Sequence, residues 1–580
     1  MTRKVANLLL LFLSVLLLSP AETLADGCGQ PATPISRVQG SGDRSPLAGQ
    51  TVTVEGILTL DSRTKDGFGG FYLQQADRET DNNPLTSEAL FIYTRRQDGT
   101  RGDRLRVTGR VKEHYGLTEI TGVQSIALCG QEPLPEPVMV TLPWPRTPES
   151  LENMRVRFPQ ALTVITTRDL HRYGELTLAA SDQIIPTEIL APGPAAAKLS
   201  AQNLRQRILL DDGRSRKHPP AIPWLTVNGD QSTWVRAGDT ITDMAGILDF
   251  RFEHWRLQPE TPPRLLRTNP RPPAPGRPDG DHIRVMAMNL GNYFNGNGRG
   301  QDFPTPRGAR TPAEYQRQQQ RLVSALRAPD PDILALTEVE NDGYGRHSSV
   351  AMLARALGPQ WRVVATPGAD GQDEIRTTML YRADRVQLSG SPRRLVRGPF
   401  RNAGRPPLAQ SFRRKGGQQT VQIVSLHLKS KSCRRASGPD SDQYDGQGCY
   451  ANRRSRAAQA ITHWITNLPQ ARDMAGTLIT GDVNSYAQET PLQVFAEAGF
   501  TSMIRQFHPC RPDTCSHYSY RYQGQKGSLD HALASASLRP LILNAQTWLI
   551  NTDELAPPPP EASGPWRSSD HNPVITDIRL

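Results

Sequence analysis

The sequence predicts an α/β domain of roughly 300 residues, preceded by two small all-β modules. Three observations carry that expectation. Before residue 260, apolar residues alternate with a period of two and glycines punctuate them, the pattern of β-hairpins. From Ile283 onward, short apolar strands ("IRVMAMNL", "DILALTEV", "TTMLYR", "VQIVSLHL", "TLITGDVN") alternate with helical stretches over 313–326 and 453–468. Between the two regions, "ETPPRLLRTNPRPPAPGRPDGD" is rich in proline and arginine and lacks apolar periodicity, so 261–281 reads as a semi-rigid, exposed connector.

The N-terminal segment "MTRKVANLLLLFLSVLLLSPAETLA" has the layout of a signal peptide over 1–25. Arg3 and Lys4 supply the positive end, Leu8 to Leu18 the apolar core, and Thr23-Leu24-Ala25 the small-residue cleavage site. The apolar run is shorter than the ~20 residues needed to span a bilayer, and no other segment is apolar enough. The mature chain is therefore expected to be exported, to the medium or a periplasm, as a monomer without stable membrane association. Six cysteines agree with that compartment, since an even count in an exported chain reads as disulfides. Cys433 and Cys449 lie close together, as do Cys510 and Cys515, which leaves Cys28 and Cys129 to bracket the N-terminal region. No Cys-x2-Cys pair supports a zinc site instead.

Within the β region, "GDRLRVTGRVKEHYGLTEITG" (102–122) and "GDTITDMAGILDFRFEHWRLQP" (238–259) share a Gly-Asp turn, alternating apolar residues and a second strand after an aromatic position. Strand-like stretches at 49–60 and 154–165 precede them in matching places. Two related modules over 28–140 and 141–260 follow, each of the oligonucleotide/oligosaccharide-binding (OB) type, with the α/β domain over 282–580.

Chemistry-bearing side chains recur at the ends of the apolar strands of that domain. Asn289 ends "VMAMN", Glu338 ends "ILALTE", His427 falls in "IVSLHLKSK", and Asp482 and Asn484 follow "TLITGDVN". Asp530 and His531 appear in "GSLDHALAS", and Asp570 and His571 precede the last strand. Asn and Asp favour turns for their own hydrogen bonds, but ligands of open α/β sheets also gather at strand ends. Glu338, Asp482 and Asp570, with the amide oxygens of Asn289 and Asn484, make an oxygen environment suited to Mg²⁺, with Mn²⁺ or Ca²⁺ as alternatives. Two histidines beside carboxylates suit acid–base work near neutral pH. With a net charge of +11, which suits an anionic partner, these groups together point to metal-assisted phosphoester hydrolysis.

"MNLGNYF", "LTEVENDGYG", "RPPLAQSF", "LHLKSKSC", "GQGCYANRRSRAAQAI", "GDVNSYAQETPL", "GSLDHALAS" and "SSDHNPV", in that order, resemble the endonuclease/exonuclease/phosphatase superfamily, and within it the large extracellular bacterial nucleases. The resemblance implies a four-layered α/β sandwich and a secreted nuclease that cleaves DNA, and RNA as a further substrate, with little sequence preference. A phosphatase or phosphodiesterase acting on lipids or nucleotides is the alternative it allows. It implies that Glu338, Asn289 and Asp570 surround a divalent metal, and that Asp482 and Asn484 bind phosphate or a second ion and orient the nucleophile. His427 and His571 would be the acid–base pair, with Asp530 orienting His571 and Asp373, or its rival Glu374, partnering His427. Arg405, Lys429 and Lys431 would contact substrate phosphates.

Overall fold

A computed structural model describes residues 27–225, 235–367, 370–401, 404–468, 473–557 and 563–580. The expected signal peptide lies outside the described residues. Two compact units emerge: one runs to Glu136 and takes in Glu149–Arg155, the other holds Pro137–Pro148 and Val156–Leu580.

In the first unit, the strands Thr51–Ser62, Gly70–Gln74, Ala89–Tyr93, Leu117–Gln131 and Asp103–His114 close a barrel in that spatial order. Val54, Leu58, Phe71, Leu73, Val107 and Ile120 fill it. Asp103–His114 buries alternate residues, as the sequence pattern requires, and pairs antiparallel with Leu117–Gln131. A disulfide joins Cys28 to Cys129.

Residues 141–260 depart from expectation. The predicted hairpin is present, Met244–Arg251 against His254–Pro259, but it belongs to an open nine-stranded sheet rather than a closed barrel. Nor is the segment all-β. Helices Pro186–Ile189 and Pro194–Arg205 interrupt it, each with proline in its first turn, where the missing N–H has no helical partner to lose. The alanine-rich "PAAAKLSAQNLR" held that signal. The short strand Gln183–Ile184 leaves this sheet to pair with Gln525–Gly527 of the C-terminal domain. The two regions thus share one unit instead of forming separate modules.

The connector is also not a solvated spacer. Arg264–Leu266 adds a strand to Thr240–Thr242. Arg271 makes a two-pronged ion pair with Glu554 (3.0 and 2.6 Å) and lies over the Trp566 ring, while Arg277 reaches Asp332 at 2.9 Å. Ion pairing holds the segment down, and a search for apolar periodicity cannot see ion pairing.

The C-terminal domain contains two six-stranded sheets. One has His282–Tyr293 and Ile333–Glu340 parallel at its centre, with Val574–Arg579 antiparallel beside them. The other has Thr420–His427 and Met474–Asp482 parallel, with Asp530–Ser535 antiparallel to the latter. Ile283, Val285, Ala335, Val421, Ile423 and Ala532 belong to one apolar core shared by the two sheets. A second core packs the first sheet against helices Pro312–Arg327 and Ser349–Leu357, and a third packs the other sheet against Ala451–Thr466 and Thr490–Glu497. The helices expected over 313–326 and 453–468 are therefore present to within a residue or two. Thr311 caps the first by accepting the Glu314 N–H.

Candidate active site

Register alone brings three of the predicted residues together. In the second sheet His427 is directly opposite Asp482, and Asp482 directly opposite Asp530, so the three sit side by side on neighbouring strands. Gly481 permits this closeness, since a Cβ there would lie 2.4 Å from the Leu426 carbonyl oxygen. In the first sheet Ala287 pairs with Val574, so Asn289, two residues on in its strand, lies where the Asp570–His571 turn enters the next. Ser569 fastens that junction by donating its hydroxyl to the Asn289 carbonyl at 2.6 Å.

Glu338 sits in an irregularity of its strand with φ of 57°, and Asn484 has φ of 53°. Left-handed backbone at a non-glycine residue is costly and concentrates at functional positions. The bulge re-aims Glu338 toward the second sheet. The Asn289 amide nitrogen lies 3.1 Å from Glu338 Oε1 and 3.2 Å from Asp482 Oδ2, bridging the sheets, and the Asn292 N–H holds the other Glu338 oxygen. His427 Nε2 lies 3.3 Å from Asp482 Oδ2 and 4.0 Å from Glu338 Oε1.

His571 Nδ1 is 2.6 Å from Asp530 Oδ2, both groups buried, and the Tyr520 ring lies against the imidazole at 4.6 Å between centroids. Burial opposes protonation of His571, but the charges of Asp530, Asp570 and Asp482 overcome it and raise its pKa well above the ordinary value. His427 goes the other way. Burial, and then the Arg405 charge, hold it well below the usual range, so it is neutral. Asp482 is pushed up to about 7 by burial and by the neighbouring Asp530 carboxylate.

The oxygen-rich set fits a divalent cation. Two buried carboxylates, Asp482 and Asp530, face each other on neighbouring strands, and Glu338 and Asp482 flank the Asn289 amide. Asp482, Asp530 and His571 also offer ligand atoms within 4.8 Å of one another. Because His571 and Asp530 already bond each other, a cation held by all three would break that bond. Asp570 is half-buried beside Asn289 and accepts from the Ser569 hydroxyl at 3.3 Å.

Three predicted contacts take corrected places. Asp373 does not partner His427. Its carboxylate accepts the Ile375 N–H and lies 3.6 Å from Arg307, while Nδ1 of His427 has no hydrogen-bond partner among the described residues. The rival Glu374 pairs with Arg307 at 2.8 Å. Lys431 is not a substrate contact, because its ammonium lies 2.6 Å from buried Glu489 and over the Tyr486 ring. A basic residue beside a catalytic strand reads as a phosphate ligand until its carboxylate, 58 positions away, is seen.

Arg405 and Lys429 do line an open pocket of about 400 Å³ beside His427, with Arg307, Asp373, Phe400 and Arg453. The Arg405 guanidinium donates to the Leu428 carbonyl, which also accepts the Asn484 amide at 3.1 Å. Nε of Arg405 has no hydrogen-bond partner among the described residues.

Residues 292–571 match the Endonuclease/Exonuclease/phosphatase family. Residues 147–269 match a domain of unknown function (DUF8508). No curated protein matches the chain. Among solved structures, the human Nocturnin catalytic domain with bound sulfate anion shares 17% identity over 51% of this chain and 93% of that one, with a TM-score of 0.34. Humanized D. rerio TDP2 shares 15% over 52% and 99%, with a TM-score of 0.34. The Bacteroides thetaiotaomicron mannosyl-6-phosphatase shares 15% over 51% and 100%, with a TM-score of 0.35.

Within residues 292–571, the sequence reading missed the residues that hold the Asp570–His571 turn. Asn551 accepts the Ser568 N–H at 2.8 Å and donates to the His571 carbonyl at 2.6 Å, and its own N–H goes to Asn572 Oδ1 at 2.8 Å. Asn551 opens "NTDELAPPPPEASGPW", a proline-rich segment that thus helps hold the Asp570–His571 turn. Residues 558–562 of that segment lie outside the described residues. Asn572 stood inside "SSDHNPV", Tyr520 inside "YSYRYQGQKGSLDHALAS" and Asn551 at the head of "NTDELAPPPPEASGPW", but no role followed for any of them, since nothing local marks a side chain whose partner is distant.

Proposed function

We propose that the protein is an exported, metal-dependent phosphodiesterase that hydrolyses DNA, and RNA as a further substrate, with little sequence preference. The buried His571–Asp530 pair, directly beside the oxygen set of Glu338, Asn289 and Asp482, carries this reading. A bound Mg²⁺, Mn²⁺ or Ca²⁺, held by Glu338, Asn289 and Asp570, would supply charge neutralisation to the phosphoryl oxygens. Asp530 fixes Nδ1 of His571 and keeps the ring cationic, so the ring offers an N–H to a phosphoryl or leaving oxygen. Asp482, near neutrality in its proton affinity, is poised to take a proton from the attacking water, and Asn484 orients its neighbours. His427, neutral, faces Asp482 and serves as a hydrogen-bonding rather than a charged group.

Arg405 and Lys429 would take flanking phosphates in the pocket, and the net charge of +11 suits a polyanion. Export is supported by the N-terminal sequence and by three disulfides, Cys28–Cys129, Cys433–Cys449 and Cys510–Cys515. A four-layered sandwich is supported by the layering of the C-terminal cores, and an OB fold by the strand order of the N-terminal barrel.

Purified protein incubated with closed-circular and linear DNA across Mg²⁺, Mn²⁺ and Ca²⁺ tests the proposal. Cleavage of both forms is expected, with opening of circles establishing an endonuclease. Intact DNA at every metal and pH, or far faster release of phosphate from a lipid or nucleotide monoester, would replace it with the phosphatase reading.

A further inference from the structure

The domain of residues 147–269 sends a short segment into the back of the active site. Its strand Gln183–Ile184 runs parallel to Gln525–Gly527, and the Ile185 N–H continues the ladder to the Lys526 carbonyl at 3.0 Å. Glu188, which is 2% exposed, then accepts the Ser528 N–H at 2.9 Å and the Arg505 Nε–H at 2.8 Å, while Arg505 also donates to the Ser528 hydroxyl. Ser528 is two residues before Asp530. Thr187, 1% exposed, donates its hydroxyl to Glu489 at 2.8 Å, and its carbonyl accepts the Gln488 N–H at 3.0 Å. Those contacts end the loop that begins at Asp482 and Asn484. Ile185 packs between them on Tyr486 and Leu529. A Cβ at Gly527 would lie 2.7 Å from the Tyr486 ring, so glycine alone lets the seam close.

We infer that the 147–269 domain completes the active site, with Glu188 and Thr187 as positioning residues for Asp530 and for the loop that carries Asp482 and Asn484. The catalytic consequence rests on the phosphodiester reading above; the positioning itself does not. A buried carboxylate with one ion pair and one backbone N–H is an expensive way to join two domains for stability alone, since apolar contact would serve. What it adds is direction. Ser528 is held from one side by Glu188, and Leu529 and Asp530 donate both their N–H groups to Ser519 Oγ from the other. The Val483 N–H donates to the Leu529 carbonyl at 2.8 Å, so a shift of Ser528 moves both catalytic carboxylates together.

The test compares full-length Glu188→Ala, Glu188→Gln and Leu178→Ala, the last a core truncation in the same domain away from the seam. Steady-state hydrolysis of a short DNA duplex with Mg²⁺ is measured alongside the unfolding midpoint. Glu188→Ala is expected to lower kcat by about 10- to 100-fold with KM within about twofold, the scale of a misplaced catalytic group. Glu188→Gln, which keeps one oxygen for the Ser528 N–H, recovers about tenfold of that loss. Leu178→Ala lowers the midpoint and leaves kcat unchanged. A Glu188→Ala protein that is destabilised like Leu178→Ala but turns over like the wild type overturns the inference. Should the wild type hydrolyse no phosphoester, the functional reading fails, and amide exchange decides the positioning role by itself. Exchange at Val483, Leu529 and Asp530 must then rise at least about tenfold in Glu188→Ala, and unchanged protection rejects it.

Discussion

Nδ1 of His571 lies 2.6 Å from Oδ2 of Asp530, across a span of 41 residues and with both side chains buried. A short, desolvated contact of this kind sets both the tautomer and the charge of the imidazole. The two residues therefore act as one unit.

His571→Ala should fold and lose about 10²- to 10⁴-fold in kcat, the range of a single positioned proton-transfer group. Asp530→Asn keeps the shape but removes the charge that holds His571 protonated, and should fall in the same range. Single-turnover cleavage of DNA at saturating Mg²⁺ measures both. A loss under about tenfold for either would take the pair out of the chemistry.

Glu338→Gln removes one charge from the oxygen set while leaving its volume. The Mg²⁺ concentration for half-maximal activity should rise at least about tenfold. Binding is checked separately by calorimetry. Metal should also raise the thermal unfolding midpoint of the wild type, because it binds the folded carboxylates and relieves the repulsion between Asp482 and Asp530. A chelator should reverse that rise.

Two lysines two positions apart should separate cleanly. Lys431 and Glu489 form an ion pair in a site where burial pulls the lysine down to about 8 and pushes the carboxyl up. Lys431→Met leaves Glu489 with Arg454 at 3.9 Å as its remaining cation, and should cost about 3–5 kcal/mol of stability. Lys429→Ala should change stability by under about 1 kcal/mol and raise KM for DNA, more at low salt than at high. Denaturant midpoints and KM at two ionic strengths check both.

His517 gives a pH signature away from the site. Burial, then the charge of His508 stacked on it at 3.6 Å, pulls its pKa down to about 4, and the Thr547 N–H donates to its Nδ1. Between that value and the unfolded value near 6.5, the unfolded chain binds more proton, so stability rises with pH through this window and is lost as pH falls toward 4. Allowing for its partial exposure, the effect should be about 1–2 kcal/mol. His517→Gln should flatten that part of the urea-midpoint profile.

Much of this was legible in the residues. Period-two alternation in Asp103–His114 and the apolar runs of Ile333–Glu340 and Thr420–His427 reflect one-sided and two-sided burial, which a strand writes into its own sequence. The placement of Asn289, Glu338, His427, Asp482, Asp530 and His571 at strand ends was legible for the same reason, since strand limits are local. Where partners are remote, sequence was silent. Lys431 read as a substrate contact because it follows His427 closely, and Asp373 as the partner of His427 through the resemblance; the Glu489 carboxylate and the Arg307 guanidinium beside them show otherwise.

By itself the sequence determined the strands and the chemistry at their ends, because each depends on spacing along one chain. Tertiary structure decided which carboxylate holds which histidine, which cations remain free for substrate, and that Glu188 reaches Ser528 across 340 positions. Those choices are made by register between sheets and by the requirement that every buried charge find a partner. Neither condition is written in any one segment.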